Sequence, residues 1–364
     1  MFRRIAQAII ESSLPSSQSS SEFPIPPDDK CVPVQLGKEG FHSPVIFSRD
    51  IPEMAFCDGG NSELIAAPNL SLQLVRGYFS VFRDNKKIFS HREQFYLLIY
   101  ARSIEGSLRY SCRFFSEIGS ELSQEEVLSL FKISDERKAA FLNSMGNFIF
   151  DPSDPYLSSR AERASPSKIV EIIRHAFELS LARAALRKLN KGGILILDGS
   201  LQQVLPFHNA QGAWLFNEAS SNGIYLCALS KTSTLLTTSG KPLLAFLDSI
   251  APFSEWYYFP LWDMRGGIQT CIVKLHKSSH NLFKLEFQDE KRHELGYLFW
   301  ALQKNSTDYA FPGYPYGLVD ADKFAQVSNE EKQHLLALLN SESGSDVLNR
   351  ITSALDAHKI LNRL

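Results

Sequence analysis

The sequence predicts a mixed α/β fold, a sheet with helices packed on it, and three features predict it. Strand-length apolar runs crowd the first part of the chain, helix and strand patterns alternate in the middle, and helical periodicity fills the end. With 364 residues and 44% hydrophobic content, the chain can build a large core, as one elaborated domain or two. Its 12% aromatic share, with 26 phenylalanines, argues against general disorder.

Phe2, Ile5, Ile9 and Ile10 fall near one face of a short helix over Met1–Glu11, either a docking element or a frayed terminus. Ser12–Asp29 is rich in Ser and Pro and reads as a linker, so residues 1–30 stand apart from the body. Met54–Cys57 is an apolar run closed by Asp58-Gly59-Gly60-Asn61. Ser71–Phe82, Gln94–Ala101 and Leu108–Phe115 continue a strand meander, and Asp84-Asn85 suits a hairpin turn. Leu122–Leu142 is helical in pattern, and Asp151–Ser159 is a polar loop. Ser165 and Pro166 then suit the cap and first position of a helix carrying Ile169, Ile172, Ile173 and Ala176, which Gly192-Gly193 ends. Ile194–Leu197 is a strand closed by Asp198-Gly199-Ser200, and Ile224–Leu229 is another, followed by Lys231. Trp256–Leu261, Gln269–Leu275 and Leu282–Phe287 read as strands, Leu295–Leu302 and the chain from Leu318 as helix. The principal domain is expected over 31–327, with added C-terminal helices over 328–364.

Lys and Arg total 38 against 40 acids, a net charge of −2, so contact with DNA would need a local positive patch. The five cysteines form no C-x-x-C pair and lie mostly in apolar runs, as reduced core residues of a cytoplasmic protein do. No apolar run approaches the roughly 18 residues of a membrane span, so no membrane partner is expected. The apolar part of Phe2–Ile10 is broken by Gln7 and too short for a signal peptide.

Two apolar runs end alike, in Asp58-Gly59-Gly60 and Asp198-Gly199-Ser200, each placing a carboxylate at a strand end. On neighbouring strands these acids would converge into a hard-cation site for Mg²⁺ or Mn²⁺; singly, each is an ordinary Asp-Gly turn. Glu178, between Phe177 and Leu179, either lines a cleft with a metal or pairs with Arg174 four residues earlier. After the rigid Gly313–Gly317 loop, Asp320 and Asp322 are two apart on a helix, so one can face a site while the other does not. Lys231 is a candidate phosphate ligand, and Arg76 is a weaker one because a strand arginine also pairs within its sheet. From Arg160 to Lys191 eight bases face three acids, either a track for DNA or a solvated helix face. Tyr309, Phe311 and Tyr316 are candidates to stack on single-stranded bases.

Phe56-Cys57-Asp58-Gly59-Gly60-Asn61, followed by Ser71–Arg76, resembles the first motif of NurA nucleases. Leu195–Leu201 resembles the second acidic motif, and Tyr314-Pro315 through Asp322 the C-terminal one. The three stand in family order from about residue 50 to about 325, most of the chain. The resemblance implies a ribonuclease-H-like mixed sheet flanked by helices, with helical additions. It also implies a homodimeric Mn²⁺- or Mg²⁺-dependent deoxyribonuclease, a 5′–3′ exonuclease and single-strand endonuclease acting on single- and double-stranded DNA. Such a nuclease works with a HerA-type hexameric translocase in end resection during double-strand break repair. By this resemblance Asp58 and Asp198 match the strand metal acids, Glu178 the helix acid and Tyr314 the motif tyrosine, all taken as catalytic with Asp322. Asp322 stands where some members carry His; it can hold a hard metal but cannot serve as a neutral-pH general acid in the same way. Two other readings fit parts of the pattern. One is a catalytically inactive DNA-binding adaptor of a translocase. The other is an actin-like or sugar-kinase-type ATPase, although no glycine-rich adenosine loop follows Asp198.

Overall fold

Long runs of β-branched and aromatic residues make the first half of the body a meander. The computed structural model describes residues 2–13, 21–27, 29–48, 50–158, 163–202, 206–263, 266–309 and 311–343. Much of the expected linker, the expected helix beyond residue 343, and Arg160 and Glu162 of the basic stretch lie outside the described residues. Helix α1 (Phe2–Ser13) and the short strands β1 (Val32–Pro33) and β2 (Phe41–His42) lead into β3 (Met54–Ala67), β4 (Leu70–Arg83), β5 (Lys86–Ile104) and β6 (Ser107–Phe115). Asp84 and Asn85 join β4 to β5 at φ 50° and 58°, the left-handed region that these two side chains tolerate best after glycine. The expected single helix over Leu122–Leu142 is two, α2 (Gln124–Leu130) and α3 (Asp135–Ser144), interrupted where Lys132 adopts φ 54°. Strand β7 (Ile149–Phe150) precedes α4 (Pro166–Leu186), which stops short of Gly192. Then follow β8 (Ile194–Asp198), α5 (Asn209–Asn222), β9 (Tyr225–Ser230), α6 (Leu243–Ile250), β10 (Trp256–Tyr258) and β11 (Trp262–Asp263). The chain closes with β12 (Ile268–Lys274), β13 (Phe283–Gln288), α7 (Leu295–Asn305), α8 (Tyr316–Ala325) and α9 (Asn329–Ser343). No helix among the described residues is long and apolar enough to cross a membrane.

The chain divides into two units, the larger comprising Pro52–Asp198, Gln202–Leu226 and Gly317–Leu364. Its strands lie in the order β8-β3-β4-β5-β6-β7. Every pair is antiparallel except β3 with β8, so this is a mixed sheet with helices on it, as the sequence predicts. Side chains alternate between faces with period two, and the two faces carry different helices. Cys57 and Gly59 turn toward α4: the Cys57 thiol reaches the Glu178 carbonyl, and a Cβ on Gly59 would lie 3.3 Å from the Glu178 carboxylate. Phe56 and Gly60 turn toward α8: Gly317 sits on the Phe56 ring, and a Cβ on Gly60 would come 2.5 Å from the Ala325 carbonyl. Phe95, Phe114, Phe131, Phe141, Phe148 and Phe177 pack mostly edge-on or tilted, so the phenylalanine excess is largely core.

The smaller unit comprises Met1–Ile51, Gly199–Leu201 and Cys227–Tyr316. Its antiparallel strands run β2-β10-β12-β13-β9, and Trp256, Tyr258, Trp262, Leu243 and Leu247 form one core cluster. None of the five cysteines is in a disulfide. Burial pushes the Cys227 thiol up to about 12, consistent with inert core thiols.

In β4, Gly77 lies directly beneath α4, where a Cβ would enter the space of Leu181 and Phe177. Gly77→Val should therefore overpack this interface and cost about 1–3 kcal/mol. The expected result is a lower urea midpoint at an unchanged slope in equilibrium unfolding.

Candidate metal centre

Strands β3 and β8 run parallel in register from Met54↔Ile194 to Cys57↔Leu197, so the next residues on each are Asp58 and Asp198. The two acids leave this register differently. At Asp198 the chain turns, with Gly199 at φ 101°, a conformation that only glycine adopts readily. At Asp58 the expected turn does not form: β3 continues through Gly59 and Gly60, opposite Gly77 and Arg76, to Ala67. These two glycines serve close approach of α4 and α8, not a change of direction. Asp58 turns to the same face as Gly60, where α8 crosses and supplies Asp322.

Asp58, Asp198 and Asp322 each offer a carboxylate oxygen, and these oxygens lie within 4.8 Å of one another. Asp322 is exposed and the other two are half-buried, so the cluster is open to solvent. The Gly59 N–H donates to Asp58 Oδ1 at 2.7 Å and fixes that side chain. Three carboxylates this close repel one another unless a cation lies between them. An all-oxygen donor set suits a hard divalent ion such as Mg²⁺ or Mn²⁺.

The other predicted residues are placed as follows. Glu178 is outside the group of three, because α4 brings it to β3 from the opposite face. Its carboxylate accepts from Arg174 Nη1 at 3.0 Å, and the same Arg174 nitrogen donates to the Gly59 carbonyl at 2.8 Å. The Arg174 pair, one of the two sequence alternatives, is thus the observed one. Asp320 points away from Asp322, buried against Tyr78 Oη at 2.9 Å and Lys87 Nζ at 2.8 Å, which resolves which of the two acids faces the cluster. Tyr314 belongs to the smaller unit, where its buried ring packs on Phe283 and Phe311, and Lys231 Nζ lies 5.5 Å from the ring centroid.

Arg76 requires correction as a DNA ligand. It is buried, and its guanidinium bonds Gln94 at 2.7 Å, the Gln326 carbonyl at 2.9 Å and the Glu331 carboxylate at 3.1 Å. Cross-strand from Gly60 in the β3–β4 pair, it ties the sheet to the start of α9. The basic stretch is also dispersed among separate partners. Lys168 pairs with Glu171, Arg174 with Glu178, Arg183 and Arg187 with Glu218, and Lys188 lies over Phe89.

Two neighbours of these acids escaped the sequence reading. His175 Nδ1 lies 3.7 Å from Glu178, and nothing in a lone helical His announces that. In the smaller unit the fully buried Glu286 accepts from Ser200 Oγ at 2.7 Å and from Leu201 N at 2.8 Å, fastening the chain just after Asp198. Its one signal was an acid inside an apolar strand. Cys57, beside Asp58, is no nucleophile, since burial, Glu178 and Asp58 all raise its thiol.

Sheet and cluster together define an α/β protein with a carboxylate centre beside the end of paired parallel strands. Among solved structures, the chain is similar to the crystal structure of the NurA nuclease from Sulfolobus solfataricus. The two are 12% identical, 85% of this chain and 89% of that one are covered, and the TM-score is 0.49. It is also similar to Aa-Ago crystallised with externally bound siRNA, at 12% identity over 74% of this chain and 27% of that one, with a TM-score of 0.30. No protein-family model matches the sequence, and no curated protein matches it.

Beneath α4, buried His208 meets the Ile172 carbonyl at 3.0 Å and the His175 ring at a centroid distance of 4.5 Å. Burial, then the charges of His175 and Arg174, outweigh the Ile172 acceptor and lower its pKa from 6.5 to about 4. Between those values the unfolded chain binds a proton that the folded one refuses, so stability falls as pH drops from 6.5 toward 4. Thermal melts across this range should show a shallower decline for His208→Asn than for the wild type.

Proposed function

We propose that this protein is a divalent-metal-dependent deoxyribonuclease. One observation carries the reading: each of the three segments that resemble NurA motifs contributes one acid to a single cluster, although Asp58, Asp198 and Asp322 are far apart in sequence.

In this reading Asp58, Asp198 and Asp322 would hold a divalent ion, which when bound would supply Lewis acidity for a water nucleophile and for the scissile phosphate. Asp58 and Asp198 sit on paired strands and fix two ligand positions rigidly. Asp322, on the exposed side of α8, leaves that side open for a DNA backbone. Glu178, which the resemblance matches to the helix acid, lies against Gly59 on the α4 face, and it is proposed to support the centre through β3 by holding Arg174 against the Gly59 carbonyl. Lys231 is proposed to hold phosphate, and Tyr314 is proposed as a catalytic residue on the resemblance alone. The resemblance further supports a homodimer, a HerA-type translocase partner, and a role in end resection with 5′–3′ exonuclease and single-strand endonuclease activity. The all-carboxylate set is compatible with both Mn²⁺ and Mg²⁺.

End-labelled single- and double-stranded DNA incubated with Mn²⁺, Mg²⁺ or EDTA tests the proposal. Wild type should cleave only with metal. Asp58→Asn and Asp198→Asn should each lose more than the roughly 10–100-fold that removing a mere supporting group costs a metal site. Glu178→Gln should weaken Mn²⁺ binding in calorimetry by less than either. Equal cleavage by wild type and both Asp variants would refute the assignment.

A further inference from the structure

On the larger unit, α3, α4 and α5 enclose a polar cleft of about 500 Å³ lined by Ser129, Lys132, Ser134, Arg137, Arg183 and Arg187, with Glu136 and Glu218. A single carboxylate, Glu218, answers three guanidinium groups. Arg137 and Arg183 share its Oε1, and Arg187 reaches Oε2 at 3.4 Å. Arg183 is 2% exposed, and its Nη1 is buried without a hydrogen-bond partner. An unsatisfied donor on a buried cation is costly, and structures usually satisfy such groups. The ring of Trp214 backs the cluster, 5.0 Å from the Arg137 guanidinium and 5.6 Å from that of Arg183. Ser134, at the N-cap of α3, spends no side-chain hydrogen bond on capping. Lys132 is committed to Glu93 at 2.6 Å and adds field more than contact.

We propose that this cleft is an anion site for a phosphate group, bound by the guanidiniums of Arg137 and Arg187 over buried Arg183, with the Ser134 hydroxyl as a further donor. Planar guanidiniums suit multi-oxygen anions because each can donate two parallel hydrogen bonds. A tetrahedral phosphate uses donors arriving from several directions, as those of α3 and α4 do here, whereas a carboxylate is already present as Glu218. The phosphate belongs either to a nucleic-acid backbone or to a small phosphate-bearing molecule. The cleft shares no residue with the acid cluster, so this proposal stands whether or not the chain cleaves DNA.

The test uses the full chain in EDTA, without divalent metal. Inorganic pyrophosphate and an unphosphorylated single-stranded oligonucleotide are titrated separately by calorimetry and by tryptophan fluorescence. Trp214→Phe identifies the part of the signal that comes from the cleft. Wild type is expected to bind pyrophosphate saturably. Arg187→Gln removes an exposed side chain with only a long contact to Glu218 and so spares the fold; it should weaken binding about tenfold, the worth of one charge-assisted hydrogen bond. Arg137→Gln should weaken it at least as much, with thermal melts confirming that each variant is folded. Parallel weakening for the oligonucleotide assigns the site to a backbone phosphate. An unchanged oligonucleotide affinity assigns it to a small phosphate-bearing ligand. No saturable pyrophosphate binding by wild type, or equal binding by folded Arg187→Gln and Arg137→Gln, overturns the proposal and leaves a purely structural ion network.

Discussion

The parallel pairing of β3 with β8 is the constraint on which the candidate centre depends. Parallel neighbours share a direction, so residues that follow the last paired rung on both strands emerge side by side. Antiparallel pairing would send Asp58 and Asp198 to opposite ends of the sheet. The apolar rungs below them, from Met54 to Cys57 and from Ile194 to Leu197, are almost wholly buried, and that burial fixes the register. A slip of one residue would turn Asp58 to the α4 face and away from Asp322.

The same alternation sorts the remaining acids. Residues of β3 facing α4 meet Glu178, Arg174 and His175; those facing α8 meet Asp322. On the α4 side Glu178 is matched by Arg174 and Glu218 by three arginines. Asp320, two residues before Asp322, is likewise matched by Lys87. The three clustered aspartates face one another, an arrangement that a divalent ion stabilises.

Much of this was legible in the sequence where local chemistry and tertiary demand agree. The meander, its Asp84-Asn85 turn and α4 with Pro166 at its start follow from periodicity and turn preference. The acid pair was legible because two apolar runs end alike in Asp-Gly, although either alone is an ordinary turn. The failures have a common cause: they concern what a residue faces, which depends on elements distant in sequence. Gly59-Gly60 resembles a turn, yet the strand passes through, because glycine there admits α8 and α4. Arg76 resembles a phosphate ligand until Glu331, more than two hundred residues later, is known to cover it. The face from which Glu178 approaches β3 is likewise a property of the sheet and not of the helix that carries it.

Asp322 is held near Asp58 through places where there is almost nothing. Helix α8 meets β3 with glycine on one side of each contact: the ring of Phe56 fills the space a Cβ on Gly317 would take, and the carbonyl of Ala325 the space of one on Gly60. Substitution there can only add atoms. These two positions therefore have a mutational spectrum unlike that of the acids. An aspartate can fail by losing its charge, its length or its partner, whereas these glycines fail in one direction, toward bulk, because any Cβ there forces its neighbour to shift. The heritable information that keeps the centre assembled thus resides partly in residues with no functional group, and a survey of reactive side chains would pass over them.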